Sequence, residues 1–338
     1  MGAGRPTISV MFFSGADRGR GPDRYAEILR VTGLAEELGL EAVWLPERHY
    51  HPFGGLFPDP AVLGAALAAR TERIGIRAGS VVVPLHDPVG IAERWALVDA
   101  LSGGRAGVSL AAGWNRGDFA LARCAFEQRR EYTFAAVDTL RTLWRGETVQ
   151  VSGGQAVRTF PAPVRAELPL WLTATSAPDT FTEAGRRGCR VLTAFLQLDR
   201  VTLERNIRTY RTALAAHAPD RAPHVTLMLH ACVAETTALA VAAAEPSLIA
   251  YQEQFLDLND RAGGPGEPLT AAEKRELSRY SAHKYAVERG LIGGPEQAAA
   301  RLEDLAGIGV DEVACLVDYG LAPQHVTETL RRLAALTS

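Results

Sequence analysis

Short, uninterrupted apolar runs take turns with helical segments along almost the whole 338-residue chain, and this alternation limits the fold more than any other feature. A strand buried on both faces reads as continuous hydrophobic residues, whereas a half-buried strand alternates apolar and polar. The runs Ile8 to Phe13, Ala42 to Leu45, Ile74 to Val83, Ala106 to Ala111, Leu170 to Ala174, Arg190 to Ala194, Val225 to Val233 and Glu312 to Val317 are of the first kind. Helical stretches separate them, among them Tyr25 to Leu38, Pro60 to Arg70, Val89 to Leu101, Phe126 to Trp144, Arg200 to His217 and, after the last strand, Pro323 to Leu333. Eight such units predict parallel strands closed into a (β/α)8 TIM barrel, a single domain over residues 1–338. No G-x-G-x-x-G follows the first strand, which argues against an open dinucleotide-binding sheet. Glu147 to Arg158, with Gly153-Gly154 at its turn, reads as a small hairpin.

One connection breaks the regularity. Nearly eighty residues separate the seventh and eighth strands, where a βαβ unit needs about thirty. Glu235 to Asp257 reads as helix, Arg261 to Leu269 as a Gly/Pro-rich loop, and Ala271 to Arg289 as helix again. An insertion after a strand rises from the C-terminal face of a barrel, where active sites are built. Residues 235–292 are therefore expected to form a lid or substrate wall.

Composition narrows the partners. A net charge of −3 with no polybasic stretch argues against nucleic acid and anionic membrane. No run approaches the ~18 apolar residues of a membrane span, and the N-terminus lacks a signal-peptide pattern, so a cytoplasmic location is expected. Cys124, Cys189, Cys232 and Cys315 are widely spaced without a C-x-x-C pair, which argues against disulfides and zinc.

The chemistry is sought where strands end. After the second strand come Glu47, Arg48, His49, Tyr50 and His51, framed by Pro and Gly. His49 suits a general base or a donor to a developing oxyanion. Glu47, Tyr50 and His51, with Tyr280 from the insertion, are assigned to the substrate. No third ligand accompanies His49 and His51, so no metal is expected. Ser80 and Val81 end the third strand among small and apolar residues, a surface suited to a flat ring. Ala112, Gly113 and Asn115 follow the fourth, where small residues let a ligand approach the backbone and the Asn115 amide suits a heterocycle or phosphate. Thr173, Thr175 and Ser176 precede a helix that begins near Pro178, a natural phosphate seat because free N–H groups and the dipole both favour an anion. The plainer reading makes Thr175 or Ser176 a helix cap.

Together these segments resemble the bacterial luciferase family of flavin-dependent monooxygenases. Glu47-Arg48-His49-Tyr50 is similar to its Glu-His-His-Phe stretch, and Gly113-Trp114-Asn115 with Asp118-Phe119 to its Gly-x-x-Asn-x-x-x-Phe region. Gly293-Gly294-Pro295-Glu296-Gln297, Leu302 and Gly309-Val310-Asp311-Glu312 resemble its C-terminal signature. Phe12-Phe13-Ser14, Trp44 through Gly55 and Cys315-Leu316-Val317-Asp318-Tyr319-Gly320 resemble a branch that accompanies nonribosomal peptide and polyketide synthases. The resemblance implies a two-component enzyme. A separate NAD(P)H:flavin reductase supplies reduced FMN, and this chain uses it with O2, through a flavin C4a-(hydro)peroxide, to oxygenate a small or carrier-protein-tethered intermediate. It also implies a homodimer.

Two positions depart from the family. Arg48 stands where luciferase has its first histidine, and arginine cannot act as a base at ordinary pH; it is expected to stabilise an oxygen anion or hold a substrate carboxylate or phosphate. The phosphate-binding arginine after the fourth strand is replaced by Ala111-Ala112, with Arg116 or Arg186 as substitutes. Two other functions remain open on this fold: hydride transfer with the deazaflavin cofactor F420, and a non-catalytic flavin-binding subunit.

Overall fold

The computed structural model describes residues 4–13, 21–151, 153–195, 198–261 and 269–337. Strand β1 (Thr7–Met11) leads through α1 (Gly21–Glu37) to β2 (Ala42–Leu45), then α2 (Pro60–Ala68), β3 (Gly75–Val82), α3 (Pro88–Ser102) and β4 (Ala106–Ala111). Helix α4 (Arg129–Trp144) is followed by a two-stranded antiparallel excursion, β5 (Val149–Gln150) and β6 (Ala156–Val157). The barrel resumes with β7 (Leu170–Thr173), α5 (Pro178–Arg186), β8 (Arg190–Ala194), α6 (Arg200–His217) and β9 (Val225–Val233). Then come α7 (Thr237–Arg261), α8 (Ala271–Glu288), β10 (Leu291–Gly293), α9 (Pro295–Gly307), β11 (Glu312–Leu316) and α10 (Pro323–Thr337).

Pairing runs β1-β2-β3-β4-β7-β8-β9-β11 and back to β1, every neighbour parallel. This is the closed eight-stranded barrel that the eight apolar runs predict. The extra strand β10 extends the sheet on the C-terminal residues of β9.

Helix boundaries follow local chemistry. Asp59, Asp87 and Asp199 cap α2, α3 and α6 with their carboxylates, and Pro60 and Pro88 take the first helical positions. Three short 3₁₀ turns occur, at Val83–Leu85 where the third strand was expected to end, at Arg116–Leu121 within an expected loop, and at Phe126–Gln128 where a helix was expected to begin. The last of these delays α4 to Arg129.

The lower half of the barrel interior is polar. Glu312 of β11 is buried and accepts from Arg77 Nη1 of β3 at 2.8 and 2.7 Å, Trp44 Nε1 of β2 at 3.0 Å, Thr226 Oγ1 of β9 at 3.1 Å, His224 at 2.9 Å and Ser9 of β1. The Arg77 guanidinium lies between the Trp44 and Trp171 rings, 5.2 and 5.1 Å from their centroids. Burial alone would raise the Glu312 carboxyl, but Arg77 and the His224 and Ser9 hydrogen bonds outweigh it and hold it far below the usual range. The network ties β1, β2, β3, β9 and β11 across the barrel. Cys189, Cys232 and Cys315 are buried free thiols.

The insertion forms a helical hairpin on the C-terminal side. Helix α7 continues to Arg261, four residues beyond the predicted Asp257, and 262–268 of the expected loop lie outside the described residues. The helices run antiparallel: Lys274 of α8 pairs with Asp257 at 3.1 Å and Asp260 at 2.7 Å, and Ser281 donates to Gln252. Among the described residues no helix is long and apolar enough to cross a membrane.

Candidate active site

At the C-terminal mouth, the β2 loop carries a carboxylate with two histidines. The Glu47 side chain has no exposed surface. Its Oε1 meets His49 Nε2 at 2.8 Å and His86 Nε2 at 2.6 Å, and its Oε2 accepts from the Val82 N–H at 2.7 Å. Arg94 Nη2 donates to His86 Nδ1 at 3.0 Å. Since arginine only donates, His86 Nδ1 must accept, which puts the His86 proton on Nε2 facing Glu47. Burial pushes the Glu47 carboxyl up, but the hydrogen bonds from His49 and His86 outweigh it and leave it below the usual carboxylate range. The bond to Glu47 raises His49, with burial opposing. With its Nε2–H engaged, His49 keeps Nδ1 free of partners among the described residues.

This geometry corrects one expectation. Glu47 was assigned to the substrate, yet both of its oxygens are sealed inside the protein; it orients His49 instead. His86 went unnoticed because it follows the third strand, 39 positions from Glu47, and only the fold brings them together.

Arg48 points away from that cluster. The residue is 6% exposed, and its guanidinium lies 5.2 Å from the Phe13 ring centroid and 5.4 Å from that of Trp114. Gly54, at φ +82°, packs on its stem: a Cβ there would fall 3.1 Å from Arg48 Cγ and 3.0 Å from the Phe13 carbonyl oxygen. The insertion completes this wall. Tyr251 of α7 stands edge-on to Phe53 at 5.0 Å and near Phe13 at 6.4 Å, and Phe255 lies 6.2 Å from Trp114. Phe13, Phe53 and Trp114 fall within the segments that carry the family resemblance, whereas nothing in the sequence pointed to Tyr251 or Phe255.

The opposite side of the mouth is lined by small and hydroxyl residues. Thr173 Oγ1 joins Ser80 Oγ and Ser109 Oγ, the latter at 2.7 Å. The Gly79–Ser80 peptide is cis, and β3 shifts register between Ala78 and Val81. Val81 itself is buried, so it offers backbone rather than side chain. Ala112 and Gly113 follow β4, and Gly113 has φ +75° with Val82 Cγ1 2.9 Å from where a Cβ would stand. Arg129 Nε donates to the Gly113 carbonyl at 3.2 Å and fixes this rim.

Asn115 departs from expectation. Its Oδ1 accepts from the Gly117 N–H at 3.1 Å and its Nδ2 donates to Asp118 Oδ1 at 2.9 Å, so the amide closes its own turn rather than facing a ligand. Thr175 and Ser176 are exposed ahead of α5, whose N-cap is Ala177 with no side-chain cap bond. The plainer cap reading therefore fails. Pro178 brings no N–H and the Thr180 N–H donates to the Ala177 carbonyl at 3.1 Å, which leaves the Asp179 N–H outside those bonds. Arg130 reaches this end, with Nη2 3.2 Å from Thr180 Oγ1 and 3.8 Å from Asp179. Arg186 sits in the last turn of α5, at the far end of the barrel beside Glu183, and Arg116 pairs with Glu127 over the Phe126 ring.

The remaining substrate candidates disperse. Tyr50 is exposed in a left-handed conformation, its ring 5.8 Å from His49. His51 Nδ1 accepts from the Phe53 N–H at 3.1 Å, and His51 lines an open cleft of about 480 Å³ with Glu253, Lys274 and Arg275. Tyr280 is 74% exposed on the face of α8 opposite buried Ser278, Ala282 and Tyr285, so the structure does not bring it to the others. Among the described residues, no three His, Cys, Asp or Glu side chains converge as a metal site.

A closed βα barrel with a buried carboxylate–histidine pair at its C-terminal mouth has the architecture of a TIM-barrel enzyme. The family described as luciferase-like monooxygenase matches residues 6–312. The chain belongs to that family and is an oxidoreductase of the monooxygenase class. It is 24% identical over 323 residues to the oxygenase component of the flavin-dependent trigonelline monooxygenase of Acinetobacter baylyi, covering 91% of this chain and 88% of that one. Similar solved structures include the monooxygenase RslO1 from Streptomyces bottropensis, with TM-score 0.78, 23% identity and 97% and 98% coverage of this chain and that one. The oxygenating constituent of 3,6-diketocamphane monooxygenase from Pseudomonas putida, in complex with FMN, gives 0.77, 14%, 98% and 97%. An F420-dependent secondary alcohol dehydrogenase gives 0.74, 15%, 99% and 99%. At these identities the structural likenesses bear on the fold.

Proposed function

We propose that this chain is the oxygenase component of a two-component system that takes reduced FMN from a separate NAD(P)H:flavin reductase and oxygenates an organic substrate. The observation that carries the proposal is the cluster of exposed Thr175 and Ser176 with Arg130 at the start of α5, which no side chain caps. Two hydroxyls, a cation and the positive end of the helix dipole together suit a phosphate monoester, and the small rim of Ser80, Ala112 and Gly113 beside it suits a flat ring. The residues present therefore fit FMN, with Arg130 supplying the charge that the Ala111-Ala112 stretch lacks. Relatives named for flavin-dependent oxygenation support the choice.

Reduced flavin supplies the reactivity toward O2 when it is bound. The chain's own residues do the rest. Glu47 holds the Nε2–H tautomer of His49, so that Nδ1 takes up or returns a proton at the reacting centre. Ser80 and Thr173 present hydroxyls at the rim. Phe13, Trp114, Tyr251 and Phe255 form an apolar wall that keeps bulk water from the mouth, and the 235–292 insertion acts as its lid.

F420-dependent hydride transfer is the competing reading, since an F420 enzyme shares the fold. Oxygen uptake with enzymatically reduced FMN, coupled to product mass spectrometry, separates the two. Oxygen consumption with a product one oxygen heavier is expected from free or carrier-bound natural-product intermediates. Substrate oxidation without oxygen uptake would exclude the proposal. The carrier-protein tether, the homodimer and a place in natural-product biosynthesis belong to the same proposal and are tested in that comparison and by sedimentation.

A further inference from the structure

Arg48 presents an unusual electrostatic situation. Its guanidinium is buried, yet no described residue forms an ion pair or side-chain hydrogen bond with it. The nearest acid by influence, Asp118, is bound to Asn115 and is itself pushed up by burial, with Arg48 opposing. An unpaired buried charge is costly unless something compensates it. The residue above it repeats the pattern: the Tyr251 hydroxyl is sealed from solvent and has no partner, and it interacts electrostatically with Arg48.

The packing also restricts what can compensate them. Phe13 and Trp114 lie against the guanidinium. With apolar rings alongside, the unspent donors are the in-plane N–H groups, whose fork matches two oxygens of one planar anion. Gly54 holds the stem in place, so the head has little freedom to swing out to another partner.

Position separates this seat from the cofactor. In barrel order Arg48 follows β2, and its neighbours come from the loops after β1 and β4 and from α7. The Thr175–Ser176 end follows β7, with β3 and β4 between it and β2 in the sheet. A ring on the Ser80–Gly113 rim with its phosphate at α5 leaves Arg48 next to that rim on its Trp114 side, away from α5 and under the insertion.

We propose that Arg48, with the Tyr251 hydroxyl, is the seat for a carboxylate of the substrate, so that the enzyme acts on an organic acid whose apolar body lies along the Phe13, Trp114 and Phe255 wall. This deepens the monooxygenase reading and rests on it for the word substrate. A thioester-linked acyl group has lost its own carboxylate, so a carrier-bound substrate qualifies only if it carries another.

The test uses benzoate and hexanoate against their neutral isosteres benzamide and hexanamide, with inorganic phosphate as a third arm. Binding is measured by isothermal titration calorimetry in phosphate-free buffer, on flavin-free and FMN-saturated protein. Wild type is expected to bind at least one acid about tenfold more tightly than its amide. Arg48→Gln should lose that preference, Arg48→Lys keep part of it, and Tyr251→Phe, which retains the ring packing, weaken the acid but not the amide. Thermal unfolding and near-UV dichroism verify that each variant is folded. Equal binding of acid and amide in wild type, or an acid preference that survives Arg48→Gln, overturns the proposal. Arg48-dependent binding of phosphate in preference to both acids also overturns it, making Arg48 a phosphate seat. Because the flavin-free arm needs no cofactor, an acid preference in a protein that binds no FMN would sink the flavin reading and leave this one standing.

Discussion

Replacing Glu47 by Gln isolates the charge of the buried carboxylate while keeping its shape. The carboxylate accepts three hydrogen bonds, from His49 at 2.8 Å, His86 at 2.6 Å and the Val82 N–H at 2.7 Å. A glutamine has one acceptor oxygen; with that oxygen toward Val82, its NH2 group confronts two imidazole N–H donors. Two bonds to a charged acceptor are lost, each worth about 1.5–3 kcal/mol, so the expected destabilisation is about 3–6 kcal/mol. With an unfolding entropy of roughly 2.1 cal/mol/K per residue, that lowers Tm by roughly 4–8 °C in a chain of this length. The pH dependence is more specific. Glu47 raises His49, so their pairing stabilises the fold fully below the unfolded histidine value of about 6.5 and fades as pH rises through the folded value. A base must be neutral, so the acid limb of the wild-type kcat/KM profile should lie above about 6.5 and move down in Glu47→Gln. Steady-state oxygen consumption across pH, with differential scanning calorimetry alongside, reads both effects. A variant that loses stability but keeps the wild-type acid limb would refute the assignment of His49 as the base held by Glu47.

Other consequences are simpler to read. His49→Ala should impair turnover far more than FMN affinity, and unchanged oxygenation would remove it from the chemistry. Glu312→Gln removes one of the two carboxylates paired with buried Arg77, leaving Glu41 at 2.6 Å, and should cost about 2–3 kcal/mol, roughly 3–4 °C in Tm, with FMN affinity retained. Since Glu312 lies far below the usual range, its contribution should persist down through pH 4 and fail only in stronger acid, as wild-type acid unfolding would show. Ser176→Ala should weaken FMN by about 1–2 kcal/mol and Arg130→Met by about tenfold in fluorescence titrations; identical affinities would clear α5 of the phosphate.

The barrel was legible because continuous apolar runs admit few arrangements, and closure needed only their number. The active site was legible in part. His49 and Arg48 stood out as titratable or charged residues at a strand end, but the burial of Glu47 depends on Val82 and His86, which no local pattern connects to it. Asn115 misled because an amide after a strand invites a ligand, although Asn115-Arg116-Gly117-Asp118 also spells a side-chain-closed turn. Tyr280 could have been set aside by helical phase, since the buried stripe Ser278, Ala282, Tyr285 leaves it on the opposite face. The Tyr251 and Phe255 wall was hidden by distance, contributed by an insertion whose fit on the mouth is a tertiary fact.

The identity of the reduced cofactor is the point on which the account turns. Anaerobic titration of the protein with reduced FMN and, separately, reduced F420, followed by rapid mixing with oxygen, tests it directly. The account requires saturable binding of reduced FMN and oxygen consumption from that complex. Saturable binding of F420 with no affinity for reduced FMN would contradict it.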